Sequence, residues 1–79
     1  MLERPEHEAP DVEALMSQFH AYLTKKGLKS TKQRDVIAEK FFSTGGHLSI
    51  EDLLALARED FPRVGYATVY RTLKLLTEC

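Results

Sequence analysis

The sequence predicts an all-α fold of four helices. Three observations carry that expectation. Apolar residues recur at helical spacing in four separate stretches. Gly27, the Gly45-Gly46 pair and the Pro62-to-Gly65 segment interrupt those stretches where helices would have to stop. No stretch alternates apolar and polar residues as a half-buried strand would, and no repeat or low-complexity segment appears.

Residues 1–10 hold two prolines and no periodic apolar pattern, so a flexible acidic arm is expected there. The folded domain is then residues 11–79. Asp11 can cap a first helix in which Val12, Leu15, Met16, Phe19, Tyr22 and Leu23 form one stripe. Lys25 and Lys26 suit its negative end, and Gly27 stops it. A second helix begins at Ser30 or Thr31, where Ser30-Thr31-Lys32-Gln33 fits a capping box. Its apolar edge is Val36, Ile37, Phe41 and Phe42, and Gly45-Gly46 ends it.

Ser49 caps a third helix, with Glu51 and Asp52 suited to its positive end. Leu48 and Leu53 are spaced as a hydrophobic staple, and Ile50, Leu53, Leu54 and Ala57 face inward. Phe61-Pro62 closes it, because proline disfavours helical geometry in the residue before it. Gly65 precedes a fourth helix, from about Tyr66 to Glu78. There Tyr66, Val69, Leu73 and Leu76 share one face, and Ala67, Tyr70, Arg71 and Lys74 share another.

The formal net charge is −1, which by itself argues against a nucleic-acid partner. Position changes that. Residues 1–16 carry −4, residues 25–40 carry +4, residues 51–60 carry −3 and residues 63–78 carry +2. Two basic blocks, holding Lys29, Arg34, Arg71 and Lys74, are therefore hidden in a near-zero sum. Hydrophobic residues are 43% of the chain, which excludes a disordered acidic tail. The single cysteine, Cys79, excludes a disulfide scaffold. The longest apolar run, Leu53 to Ala57, is far short of a membrane span. The first eight residues lack the basic and apolar regions of a signal peptide, so a cytoplasmic location is expected.

A short helix, a Pro- and Gly-containing turn and a helix with a polar-aromatic outer face form the plan of a helix-turn-helix. In that plan Arg71 can pair bidentately with guanine, and Tyr70 can meet a thymine methyl or a phosphate. Ala67 permits close approach. Thr68 and the backbone N–H groups near Tyr66 lie at a helix N-terminus, which suits a phosphate.

Three blocks add a resemblance. Gly27-Leu28-Lys29-x-Thr31-x-Gln33-Arg34, Gly46-His47-Leu48-Ser49-x-Glu51-Asp52-Leu53 and Gly65-Tyr66-Ala67-Thr68-Val69-Tyr70-Arg71-Thr72-Leu73 closely resemble the DNA-binding domain of the ferric uptake regulator family. The resemblance covers residues 12–79, and Ala67 to Arg71 is its most specific stretch. It implies a winged-helix domain whose β wing and dimerisation domain would follow residue 79. The chain then reads as the front part of a metal-dependent repressor of metal-uptake genes.

The resemblance also implies roles. Tyr70 and Arg71 match residues that meet the major groove, and Lys29 matches a lysine that reaches an adjacent minor groove. Thr31 and Arg34 match positions near the DNA backbone. His47 matches a ligand of the regulatory metal site of the full-length protein, for which iron or zinc is expected; no cofactor is expected of these 79 residues alone. Lys32 departs from the proline that many members carry in that first turn. The implied partners are an A·T-rich palindrome of double-stranded DNA and, in the full-length protein, a second copy. A domain without its wing leaves apolar surface on its first and last helices, so self-association is expected.

Plainer roles stand beside these. Tyr70 can be a rim aromatic, Arg71 an ion-pair partner of an acid such as Glu78, Arg34 a partner of an acid on the first helix, and Lys29 a solvated loop residue. The sequence holds no paired-carboxylate cleft, no nucleophile–base set and no phosphate-cradling glycine loop, so an enzyme is not expected. The rival function is a small helical protein–protein interaction module. Such a module would present Leu, Met or Phe on the last helix, where this sequence has Ala67, Tyr70, Arg71 and Lys74.

Overall fold

A computed structural model describes residues 11–79. The acidic arm expected over residues 1–10 lies outside the described residues. Four helices follow one another: α1 (Val12–Lys25), α2 (Lys32–Ser43), α3 (Ile50–Asp60) and α4 (Tyr66–Glu78). No strand occurs among the described residues. None of these helices is long and apolar enough to cross a membrane.

Each boundary has a local cause. The Asp11 carboxylate accepts from the Ala14 N–H at 3.1 Å and starts α1. Gly27, at φ 75°, ends it in a conformation that favours glycine, and the Leu28 N–H returns to the Leu23 carbonyl at 2.8 Å. Thr31 is the cap of α2, its hydroxyl accepting from the Arg34 N–H at 3.1 Å. That placement corrects the capping box. With Thr31 as cap, Arg34 occupies the third helical position, and Gln33 is not placed to reach back. The Ser49 hydroxyl accepts from the Asp52 N–H at 3.0 Å and starts α3, as the spacing predicts. Gly65 starts α4 with no side-chain cap.

The core forms two clusters joined through α2. Phe19 and Leu23 of α1 meet Ala38 and Phe42 of α2 and Leu76 of α4. Ile37 of α2 meets Leu53 and Ala57 of α3, Val64 of the turn and Val69 of α4. Phe41 packs against both clusters. The predicted stripes on α1 and α3 are the ones that face inward, and Leu48 packs on the cluster that holds Leu53. Ala38, absent from the predicted edge of α2, is fully buried.

The α3–α4 turn sets the orientation of the last helix. The Val64 N–H bonds the Phe61 carbonyl at 2.9 Å, while Arg58 Nε of α3 donates to the Val64 carbonyl at 2.9 Å. With its side chain buried, Val64 anchors the turn, and α4 is held in one orientation against α2 and α3.

The inward face of α4 matches the expected one at Val69, Leu73 and Leu76 and departs from it at two positions. Thr72 is buried at 1% exposure, and its hydroxyl donates to the Thr68 carbonyl at 2.8 Å. Tyr66, expected to face inward, is 51% exposed. The physical reason is its place in the first turn of α4, ahead of the Val69–Leu76 stretch that packs on α2. A phenol there keeps its hydroxyl in water at no cost.

Candidate nucleic-acid interface

Ala67, Tyr70, Arg71 and Lys74 are all exposed on α4. Tyr70 is 49% exposed, and its ring lies nearly parallel to that of Tyr66, with centroids 6.4 Å apart and planes 7° apart. Helical i, i+4 spacing puts the two rings side by side. The outer face of α4 thus carries two aromatic rings beside two cations. Thr68 is half-buried on the flank of the helix. No side-chain cap occupies the N-terminus of α4, so its first N–H groups keep their hydrogen-bonding capacity.

The segment between α1 and α2 presents Lys29 and Thr31, both exposed. Arg34, from the first turn of α2, reaches back to this segment, and its Nη1 donates to the Lys29 carbonyl at 2.6 Å. This settles one alternative left by the sequence: Arg34 holds the loop that carries Lys29, not an acid on α1. The α1–α2 acid–base contact falls instead to His20 Nε2 and Asp35 Oδ1, at 2.9 Å.

A shallow groove of about 410 Å³ joins these parts. Its lining holds the cations Lys26, Arg34, Arg71 and Lys74 together with the apolar Leu28 and Leu75. The two basic blocks, separated by 22 residues of sequence, therefore meet on one surface. One acid shares it. The Glu78 carboxylate accepts from the Tyr22 hydroxyl at 2.7 Å and faces Lys26 Nζ at 3.6 Å. The hydrogen bond from Tyr22 is the main reason the Glu78 carboxyl sits below its ordinary range, with Lys26 and Lys74 adding to the effect. Bonding to Glu78 raises the Tyr22 hydroxyl, and contact with Tyr22 and then Glu78 raises Lys26. Glu78 is thus engaged by α1. Among the described residues no hydrogen bond or ion pair holds Arg71, so the Arg71–Glu78 pairing is not the one the fold makes.

Sequence reasoning missed Lys26, Tyr66 and Glu78 as members of this surface. The i, i+4 spacing of Tyr66 with Tyr70, and of Lys74 with Glu78, was the available signal. Nothing in the sequence marks the approach of Lys26 to Glu78.

His47 is exposed between α2 and α3. Among the described residues no group of three or more His, Cys, Asp and Glu side chains is placed to hold a metal ion. A metal site needs several converging ligands, so these residues do not complete one around His47. Cys79 is a free, exposed thiol.

Residues 25–79 match the model of the ferric uptake regulator family. The ferric uptake regulation protein of Campylobacter jejuni is 38% identical over 73 residues, covering 90% of this chain and 46% of that protein. That of Bacillus subtilis is 38% identical over 68 residues, covering 85% and 43%, and that of Helicobacter pylori strain 26695 is 29% identical over 65 residues, covering 82% and 43%. The chain spans about half the length of the curated relatives it matches. No solved structure matches it. The family groups transcriptional regulators, not enzymes. A family match over more than two thirds of the chain, relatives that agree over 82 to 90% of it, and four helices with an exposed Tyr70-Arg71 pair lead to one assignment: the chain belongs to the ferric uptake regulator family.

Proposed function

We propose that residues 11–79 form the helix-turn-helix DNA-binding domain of a metal-responsive transcriptional repressor that acts in the cytoplasm on metal-uptake genes. The observation that carries this reading is the single surface on which Arg34, Arg71 and Lys74 meet beside exposed Tyr70. α4 enters the major groove, Arg71 reads guanine and Tyr70 meets a thymine methyl. Ala67 allows the helix backbone to come close, and Thr68 with the uncapped N-terminus of α4 takes a phosphate. Lys29 reaches an adjacent minor groove, with Thr31 and Arg34 beside the backbone. Two copies bind an A·T-rich palindrome. His47 contributes one imidazole to the iron or zinc site of a longer protein.

The outward residues of α4 favour DNA over a protein partner, because an interaction helix would bury apolar anchors there. The test is binding to such a palindrome across a salt series. With about four phosphate contacts per copy, the log–log slope is expected to be about −3.6 for each copy. Arg71→Ala is expected to erase discrimination between the palindrome and random duplex. Lys29→Ala is expected to flatten the salt slope by about 0.9 with discrimination retained. Equal discrimination by the parent and Arg71→Ala proteins refutes the assignment of α4.

A further inference from the structure

The basic surface contains its own anion. Lys26, Arg34, Arg71 and Lys74 line the groove, and the Glu78 carboxylate lies among them. It is held from two directions, by the Tyr22 hydroxyl at 2.7 Å and by Lys26 Nζ at 3.6 Å. A carboxylate oxygen and a phosphate oxygen ask the same of their surroundings, namely N–H and O–H donors and positive charge. Glu78 therefore occupies donors that an incoming phosphate would need, and its own charge repels that phosphate.

We propose that this groove is a phosphate seat, that Glu78 fills it as an internal competitor, and that an arriving phosphate draws Lys26 away from Glu78. Resting on the DNA reading above, the phosphate is one of the duplex backbone, and Glu78 then weakens binding to every duplex sequence alike. Three features support the competition. Four cations and one carboxylate line the groove, so it keeps a positive excess with Glu78 ionised. The same carboxyl gives up its proton more readily than an ordinary one, chiefly because Tyr22 bonds its charged form. Finally, the Lys26 ammonium also lies 5.5 Å from the Tyr22 ring centre, a second contact that does not depend on Glu78.

The probe is inorganic pyrophosphate, titrated into the 79-residue chain and followed by amide and side-chain NMR shifts. Glu78→Gln keeps an oxygen that can accept from Tyr22 while removing the charge. Glu78→Gln is expected to bind pyrophosphate about threefold to tenfold tighter than the parent chain at low salt, with the gain shrinking as salt rises. Shifts are expected at Lys26, Arg71 and Lys74, and adding Lys26→Gln is expected to cancel the gain. Equal affinity of the parent and Glu78→Gln chains for pyrophosphate, or shifts confined to other surfaces, overturns the proposal. A parallel titration with duplex DNA separates the two readings. If Glu78→Gln gains pyrophosphate affinity while neither protein binds duplex, the phosphate seat stands and the DNA reading fails. If duplex is bound through Arg71 but Glu78→Gln gains nothing for pyrophosphate, the DNA reading stands and the internal competitor fails.

Discussion

Arg34 Nη1 donates to the Lys29 carbonyl at 2.6 Å, so a side chain from α2 fixes the loop that presents the Lys29 ammonium. Removing it has two effects, a lost charge in the groove and a loosened loop. Arg34→Ala is expected to raise amide exchange across residues 28–31 and to cost about 0.5–1.5 kcal/mol of stability. Arg34→Lys keeps the charge but not the planar guanidinium, so it is expected to leave the loop nearly as loose. Hydrogen exchange by NMR checks this, and unchanged protection in Arg34→Ala contradicts it.

The Tyr22–Glu78 bond ties the last turns of α1 and α4 across 56 residues of sequence. Its pH dependence follows from the two shifts. Glu78 binds its proton more weakly when folded, so its contribution is present above the ordinary carboxylate range and fades as pH falls through the lowered value. Tyr22 holds its proton more tightly when folded, so its contribution is present below the ordinary tyrosine range and fades as pH rises through the raised value. Thermal unfolding of the parent and Tyr22→Phe chains is therefore expected to differ by a constant amount around neutrality. The difference should narrow at both extremes of pH. A difference that persists at acid pH contradicts the assignment to Glu78.

Thr31 and Ser49 start α2 and α3 with hydroxyl caps. Thr31→Ala and Ser49→Ala are each expected to cost about 1 kcal/mol in denaturant unfolding. Thr31→Asp separates the cap from the proposed phosphate role. It should keep the stability, since aspartate caps well, and weaken duplex binding, since its charge repels the backbone. Loss of stability in Thr31→Asp, or unweakened binding, argues against that pair of roles.

In the core, Ile37 is fully buried where α2 meets α3 and α4. Ile37→Ala is expected to destabilise by about 2–5 kcal/mol, a large share of what a domain this small has in reserve. Thr72 behaves differently although it is just as buried. Its hydroxyl bonds a carbonyl of its own helix, and Val has nearly its shape. Thr72→Val is therefore expected to change stability by less than about 1 kcal/mol. Chemical denaturation of the two variants orders these effects, and a larger loss in Thr72→Val than in Ile37→Ala contradicts the account.

How much of the fold was legible in the sequence depends on the range of the forces involved. The four helices, their stops at Gly27, Gly45-Gly46 and Phe61-Pro62, and the Ser49 cap were all readable. Each depends on contacts within about four residues, which a linear sequence displays directly. The outer face of α4, with Ala67, Tyr70, Arg71 and Lys74, was readable for the same reason. The cap of α2 was half readable, because Ser30 and Thr31 are chemically equivalent and the backbone had to choose between them.

The sequence by itself therefore determined the helices, the faces they offer and the two basic blocks. Only the tertiary structure decided how those faces are used. It turned Thr72 into the core and left Tyr66 outside beside Tyr70. It turned Arg34 onto the Lys29 carbonyl, and it brought Lys26, Arg71, Lys74 and Glu78 to one groove. The reason is that helix docking is set by the sum of packing across two clusters, with α2 shared between them. The final angle of α4, and every neighbour it brings together, belongs to that sum and to no single stretch of residues.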